Sequence, residues 1–229
     1  MKKKVILVHG FNKNKKDMFI LKKNLEKIGY ECILIDLPLT FKEIEYCTSI
    51  FEEKIEEIIC SLKENEKISL VGHSTGGLII RHFLSNTKYT DQINRCVLIS
   101  TPNKGSQLAD IASKLSNLFT NMFKTLKSLQ SENIENLKLK HVESIEIGAV
   151  AGNKSNLLLG KLLKTENDGR VQVNSVKYKE LKDFIVVSYG HKEIHHKYEI
   201  AELVSAFLEN GHFKKLNNLD QKENSFDEK

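Results

Sequence analysis

The chain has 229 residues, of which 40% are hydrophobic and 28% charged, which excludes a wholly disordered chain. Its longest apolar runs are only a few residues, far short of the ~20 that cross a bilayer. The net charge of +5 arises from 35 basic residues interleaved with 30 acidic ones, and only three of the basic residues are arginines. Such mixed charge predicts a solvated surface and no nucleic-acid partner, with a basic face for anionic lipid as the alternative.

Short β-branched runs alternate with helical patterns along the chain. The strand-like runs lie at 5–8, 32–35, 68–71, 96–99, 145–150 and 184–187, and the helical patterns at 15–28, 44–62, from 78 to 84 and at 200–208. The strand-like runs do not alternate polar with apolar residues, which is typical of strands buried on both faces. The sequence therefore predicts one α/β domain over 1–212 with a mostly parallel sheet of about six strands, followed by a polar tail over 213–229.

The N-terminus and the cysteines indicate the compartment. Three lysines precede the apolar run 5–8, but His9-Gly10 ends it well before the 7–15 apolar residues of an export signal. The four cysteines have no CxxC spacing, and Cys32 and Cys96 fall in strand-like runs. We expect a cytoplasmic protein with reduced, buried thiols rather than disulfides or a zinc site.

Gly72, Ser74 and Gly76 fit the pattern G-x-S-x-G between a predicted strand and a predicted helix. A nucleophilic serine on a sharp strand-to-helix turn projects from the sheet edge, and the flanking glycines avoid collision with neighbouring backbone. The alternative is a glycine-rich turn with an incidental serine. In this context the pattern favours Ser74 as a nucleophile.

Acyl transfer needs N–H donors aimed at the developing oxyanion. In this architecture one donor follows the nucleophile, which is the amide of Thr75, and the other lies in a loop after an earlier strand. His9-Gly10-Phe11 is that loop, so we expect the second donor to be the Phe11 amide. His9 itself is expected to brace the loop.

The serine also needs a base and an acid, which follow it in the chain in the order acid, then histidine. Asp168 lies in a polar turn after the fifth strand and is the candidate acid, with Asp110 as the fallback and ordinary Asp-Gly turn chemistry as the alternative. His191 directly follows the sixth strand and is the favoured base. His195 and His196 are close by and stay open as alternatives.

The same histidine cluster has a metal interpretation. His191 and His195 are four residues apart with Glu193 between them, but the H-E-x-x-H pattern of metalloproteases is missing. We predict neither a metal nor a cofactor.

Four segments together resemble the α/β-hydrolase fold, and within it the bacterial lipase and serine-esterase branch. They are VILVHGF, LVGHSTGGLI, ISTPNKGSQLAD and ENDGRVQV, and the match spans 5 to about 208. The resemblance implies a minimal version of the fold that lacks the usual first two strands. It also implies hydrolysis of carboxylic esters through an acyl-serine, with Ser74 as nucleophile, His191 as base and Asp168 as acid. Some secreted lipases of this branch hold a structural calcium, for which no ligand set is visible here.

Two other functions stay open. The same residues would serve a thioesterase or an acyltransferase, and a protein of this fold can also be a binding protein without catalysis. For the esterase we expect a small-molecule substrate with a hydrophobic acyl part. The sequence leaves the oligomeric state undetermined.

Apolar residues recur every three or four positions over 106–130, at Leu108, Ile111, Leu115, Leu118, Met122, Leu126 and Leu129. The spacing predicts one long helix inside a helical insertion over about 106–140. The helix either packs on the sheet or forms a lid over the serine, whose apolar underside would suit acyl chains and transient contact with a membrane surface.

Overall fold

The computed structural model describes residues 2–116, 121–155 and 157–214, except for the side chain of residue 159. Six strands form one parallel sheet: β1 Lys4–Val8, β2 Glu31–Ile35, β3 Ile68–His73, β4 Ile93–Ile99, β5 Glu146–Gly152 and β6 Asp183–Val187. Their order across the sheet is β2-β1-β3-β4-β5-β6. The parallel sheet of six strands predicted from the apolar runs is confirmed.

Helices cover both faces of the sheet, which explains why the strand sequences do not alternate. They are α1 Phe19–Ile28, α2 Ile44–Cys60, α3 Thr75–Asn86, α4 Gln107–Leu115, α5 Lys124–Ser128, α6 Ser131–Asn136, α7 Val173–Val176 and α8 Tyr198–Asn210. Helices α1 and α8 pack on one face through residues such as Leu21, Leu25, Leu203 and Phe207. Helices α2 and α3 pack on the other face through Phe51, Ile55, Leu78 and Phe83.

The insertion between β4 and β5 differs from the sequence prediction. One helix over 106–130 is wrong, because α4 ends at Leu115 and Ser116 has an extended backbone at φ −158° and ψ 106°. The Ser106 N–H donates to the Leu129 carbonyl at 2.8 Å, so the segment folds back on itself. A straight helix would separate these two residues by about 35 Å.

Because the segment folds back, the apolar residues that recur over 106–130 do not form one helix face. Leu129 is buried, whereas Leu115 and Met122 are 81% and 64% exposed. Leu118 and Phe119 lie outside the described residues. These apolar residues therefore belong to several short elements, in which some of their side chains are buried and others are exposed.

The structure also bears on the predictions about the cysteines, the polar tail and membrane crossing. Cys32, Cys47 and Cys96 are buried and Cys60 is exposed, all four as free thiols. Phe213, placed by the sequence in the polar tail, packs against Phe207 at 4.9 Å, while the tail from residue 215 lies outside the described residues. None of the helices in the described ranges is long and apolar enough to cross a membrane.

Candidate active site

The site lies at the carboxyl ends of β1 and β3, where the strand order reverses. From β1 the chain continues outward to β2, and from β3 it continues in the opposite direction to β4. The loops that leave the two strands therefore diverge and open a crevice between them. Phe11 and Ser74 lie on these two loops.

Ser74 occupies the sharp turn between β3 and α3. Its φ of 53° and ψ of −124° are rare for a residue with a side chain, and such strain is stored where the surroundings fix the backbone. The Ser74 N–H donates to the Ile99 carbonyl at 2.8 Å, which ties the turn to β4.

The neighbouring glycines are required by close backbone contacts. A Cβ on Gly76 would lie 2.5 Å from the carbonyl oxygens of Val8 and His9, and one on Gly72 would lie 2.5 Å from the Gly77 nitrogen. No side chain fits at either position. The G-x-S-x-G spacing thus allows β3, its turn and α3 to approach β1 closely.

A continuous hydrogen-bonded chain joins Ser74, His191 and Asp168. His191 Nε2 is 3.1 Å from Ser74 Oγ, and His191 Nδ1 is 2.8 Å from Asp168 Oδ2. All three residues are buried, with Asp168 only 1% exposed. The structure therefore brings together the three residues that the sequence singled out from different parts of the chain.

Asp168 is held as a carboxylate by its surroundings. Its Oδ1 accepts from the backbone N–H groups of Arg170 at 3.0 Å and Val171 at 2.8 Å. Burial by itself would raise the pKa of Asp168, but the charge and hydrogen bond of His191 and these two N–H groups hold it below its usual value. The carboxylate is therefore positioned to stabilise a positive charge on His191.

The alternative acid and bases make other contacts. The side chain of Asp110 accepts from the N–H and hydroxyl of Ser131 at 2.9 and 2.7 Å, within the insertion. His195 Nε2 faces Asp17 Oδ2 at 3.2 Å. His196 stacks at an angle on His195, with ring centres 4.2 Å apart.

Two backbone N–H groups beside the Ser74 turn are the candidates for binding an oxyanion. Thr75 is the first residue of α3, where the leading N–H groups have no acceptor within the helix. Within the described ranges the Phe11 N–H also has no hydrogen-bond acceptor. Both are available to an incoming oxygen, and the α3 N-terminus favours negative charge there.

His9 braces the loop that carries Phe11. Its Nδ1 donates to the Gly10 carbonyl oxygen at 2.9 Å, and its Nε2 accepts from the Leu37 N–H at 3.1 Å. These two bonds fix one neutral tautomer and connect the loop after β1 to the chain after β2. The bracing role expected from the sequence is confirmed.

His73 and Asp17 belong to the site but were not predicted. His73 Nε2 donates to the His191 carbonyl oxygen at 3.1 Å, and the His73 ring stacks on His195 with centres 3.9 Å apart. Burial, followed by the nearby histidines, holds the pKa of His73 well below its usual value. The position of His73 within the G-x-S-x-G pattern was the available signal for it. Asp17 had no comparable signal.

A small cavity opens beside Ser74, with about 20 Å³ of free space, roughly one water molecule. Its walls include Ser74 and His191. Three cationic side chains also line it: Lys13, Arg170 and Lys192. Phe11 is the apolar member of the lining.

The sequence matches a family model, the alpha/beta hydrolase fold, over residues 3–140, more than half of the chain. The chain belongs to the α/β-hydrolase fold family. It is 26% identical to Methylesterase 2 of Arabidopsis thaliana over 92% of this chain and 89% of the relative.

Solved structures share the fold of this α/β hydrolase. The mature lipase of Bacillus licheniformis superposes with a TM-score of 0.78 at 23% identity, over 91% of both chains. A metagenomic carboxyl esterase superposes with a TM-score of 0.73 at 16% identity, over 91% of this chain and 76% of the other. The α/β-hydrolase fold expected from the sequence is confirmed.

Proposed function

We propose that this α/β hydrolase cleaves small carboxylic esters through an acyl-serine intermediate on Ser74. The observation that carries the proposal is the unbroken hydrogen-bonded chain from Ser74 through His191 to Asp168. The names of its relatives, a methylesterase, a lipase and a carboxyl esterase, support an ester substrate.

In the first half-reaction Ser74 Oγ attacks the ester carbonyl carbon while His191 Nε2 takes the hydroxyl proton. The imidazole becomes positively charged, and Asp168 Oδ2, 2.8 Å from Nδ1, stabilises that charge and keeps the ring oriented. The tetrahedral oxyanion accepts hydrogen bonds from the N–H groups of Phe11 and Thr75.

Collapse of the tetrahedral intermediate breaks the bond to the alkoxy group. His191 Nε2 gives its proton to the leaving alcohol, and the acyl group stays on Ser74. Water then attacks the acyl-serine by the same route, with His191 as base and then as acid, which releases the carboxylic acid. The sequence of steps needs no cofactor.

Aromatic contacts beside the crevice support a substrate with a hydrophobic acyl part. The Phe123 ring, from the insertion, lies 6.4 Å from Phe11 in an edge-on arrangement and 5.5 Å from Phe41 in a stacked one. The insertion over 106–140 therefore touches the loop that carries the Phe11 N–H. This contact supports the lid interpretation, with Phe11, Phe41 and Phe123 (the aromatic clasp) at its edge.

Exposed apolar side chains in the insertion and in the chain before α2 support transient contact with a lipid surface. Phe41 is 56% exposed, and Leu115 and Met122 are exposed apolar residues within the described part of the insertion. A lid that opens would place these side chains against the lipid surface, as interfacial segments do.

The experiment is intact-mass measurement after treatment with a fluorophosphonate, which modifies only an activated serine. We expect one adduct per wild-type chain, none on Ser74→Ala, and a rate reduced at least a hundredfold on His191→Ala. His195→Ala and His196→Ala should lower the labelling rate far less than His191→Ala does, which identifies His191 as the base.

Two results would overturn the proposal. One is the absence of an adduct on folded wild type, both in buffer and with detergent to open a lid. The other is an adduct that persists on Ser74→Ala. Hydrolysis of p-nitrophenyl acetate, lost in Ser74→Ala, links the labelled residue to ester cleavage.

A further inference from the structure

Next to the crevice, four ionisable side chains from three loops converge. Asp17 lies in the short helical turn Lys15–Met18 after β1, and His73 ends β3. His195 and His196 lie in the turn Ile194–His196 after β6. The proposed ester hydrolysis uses none of these side chains.

Several atoms of this cluster are buried without a hydrogen-bond partner. In the described ranges they are Asp17 Oδ2, His73 Nδ1 and both ring nitrogens of His195. Asp17 Oδ2 and His195 Nε2 face each other at 3.2 Å, but His73 Nδ1 and His195 Nδ1 have no hydrogen-bond partner in the described ranges and require a physical explanation. His195 is 1% exposed, which keeps bulk solvent from supplying the missing partners.

The tautomer of His73 leaves one of its ring nitrogens with an unpaired acceptor site. Its Nε2 must carry the proton, because a carbonyl oxygen, that of His191, is its partner at 3.1 Å. With the proton on Nε2, Nδ1 presents a lone pair, and no hydrogen-bond donor faces it in the described ranges. Asp17 Oδ2 lies 3.9 Å from Nδ1 and is itself an acceptor, so it does not satisfy the lone pair.

The spacing of the cluster suits a small divalent cation. Single ligand atoms of Asp17, His195 and His196 all lie within 4.8 Å of one another. Bonds of 2.0–2.2 Å to a tetrahedral zinc ion place ligand atoms about 3.4 Å apart, and Asp17 Oδ2 is already 3.2 Å from His195 Nε2. His196 is half-buried at the end of its turn, and ion binding requires its ring nitrogen to move closer to the other two ligand atoms.

A supporting residue already orients the carboxylate. Lys13 Nζ binds Asp17 Oδ1 at 3.1 Å, which leaves Oδ2 directed at the histidines. Ligand carboxylates and imidazoles are commonly fixed in this way by an outer hydrogen bond or ion pair.

We propose that Asp17, His195 and His196 bind one divalent ion of the zinc class, with water in the fourth position. That water would donate to His73 Nδ1 and satisfy its lone pair. Two imidazoles with one carboxylate favour zinc over calcium or magnesium, which prefer oxygen ligands. This set differs from the sequence-based metal alternative, which combined His191, His195 and Glu193.

The site would join two loops that the proposed ester hydrolysis needs in fixed positions. Asp17 follows the loop that carries the Phe11 N–H, and His195 follows the loop that carries His191. An ion between them clamps both loops against β3. The ion therefore acts as a structural clamp, and Ser74 still performs the chemical step.

The test uses the full chain, freed of metal with a chelator and then titrated with Zn²⁺ and with Co²⁺. We expect one ion per chain, visible bands of tetrahedral cobalt, and a Tm raised by about 5–10 °C at a hundredfold excess over Kd. His196→Ala, the half-buried ligand, should lose the binding and the Tm rise while the metal-free protein stays folded. His212→Ala, at an exposed residue just after α8, should bind as wild type does.

The proposal is overturned if His196→Ala and His195→Ala bind zinc with wild-type stoichiometry and Tm rise. It is also overturned if cobalt gives a thiolate charge-transfer band, since the ion would then lie at a cysteine, or if wild type binds no ion. Fluorophosphonate labelling of Ser74 is measured on the same samples. Its outcome tests the proposed function separately from the metal site.

Discussion

His191 is joined to Asp168 twice. The His191 backbone N–H donates to the Asp168 carbonyl oxygen at 2.8 Å, and its ring Nδ1 lies 2.8 Å from Asp168 Oδ2. The backbone bond places the two loops relative to each other, and the side-chain bond sets the ring. Removing the carboxylate charge should therefore change the chemistry of the site far more than its structure.

Asp168→Asn tests this separation. The amide oxygen can still accept from the N–H groups of Arg170 and Val171, so its NH₂ group then faces His191 Nδ1. The imidazole would adopt the other tautomer, with its proton on Nε2, and could no longer take the Ser74 proton. We expect kcat to fall about 10³–10⁴-fold with a small change in Tm. Hydrolysis of p-nitrophenyl acetate and a thermal melt measure the two effects.

Asp110→Asn is the matched control, because Asp110 is the other acid considered from the sequence. It interacts with Ser131 inside the insertion and has no contact with His191 in the described structure. Its kcat should stay within about twofold of wild type. A loss as large as that of Asp168→Asn would show that the acid has been assigned to the wrong residue.

Acid should destabilise the fold through the buried histidines. Burial is the largest cause that lowers the pKa of both His73 and His195, so they are neutral in the folded chain at pH values where the unfolded chain, with a pKa near 6.5, binds protons. Stability is therefore fully present above about pH 7 and is lost as pH falls below 6.5. Each ring contributes up to ~1.4 kcal/mol per pH unit.

Urea unfolding of metal-free protein at pH 8, 7.5, 6.5 and 5 measures this slope. We expect the unfolding free energy of His195→Gln to fall less steeply than that of wild type between pH 6.5 and 5, because one fewer ring binds a proton on unfolding. Between pH 7.5 and 8 both rings are neutral in both states, so wild type and variant should show the same slope there. An unchanged acid slope in His195→Gln would contradict the assignment.

Gly76 tests the packing of the strained turn. In Gly76→Ala the added Cβ meets two backbone carbonyl oxygens of the β1 end at 2.5 Å, and neither atom can move without displacing β1. We expect a loss of about 3 kcal/mol or more in unfolding free energy and loss of fluorophosphonate labelling. Urea unfolding and intact-mass measurement give the two values.

Gly29→Ala is the contrasting variant. Gly29 ends α1 with φ 121° and has no atom near its missing Cβ, so only backbone strain of about 1–3 kcal/mol applies. Labelling of Ser74 should be retained. Equal losses of labelling in the two variants would show that the effect of Gly76→Ala is general destabilisation.

The strands were predictable because each is a short apolar run buried on both faces. The start of α3 was not, since Gly76 and Gly77 are poor helix formers and the predicted helix begins only at 78. The fold requires these glycines: a Cβ on Gly77 would lie 1.9 Å from Thr101 Oγ1. Close packing between elements overrides helix propensity at this position.

The part of the candidate site that could be predicted consists of residues that each follow a strand of the parallel sheet. Ser74, Asp168 and His191 each follow a strand, so their meeting at one sheet edge could be inferred. The contact of Asp17 with His195 joins loops 178 residues apart without any motif. The prediction of one long helix in the insertion was wrong, because a spacing of three or four residues fits one long helix and several short ones equally well.

The aromatic clasp gives the last prediction, on substrate selection. Phe123 connects the insertion to Phe11 and Phe41, and an aromatic pair of this kind contributes about 0.5–1.5 kcal/mol. In Phe123→Ala a long acyl chain loses this apolar contact, whereas an acetyl group does not reach it. We expect KM for p-nitrophenyl hexanoate to rise about two- to twelvefold, with kcat/KM for the acetate within twofold of wild type.

Met122→Ala is the neighbour control, because that side chain projects into solvent and should leave both esters unaffected. If Phe123→Ala reduced kcat/KM equally for acetate and hexanoate, Phe123 would support the position of Phe11 rather than bind the acyl chain. A loss confined to the hexanoate instead places the acyl chain against the insertion, because only the longer chain extends from Ser74 past Phe11 to that segment.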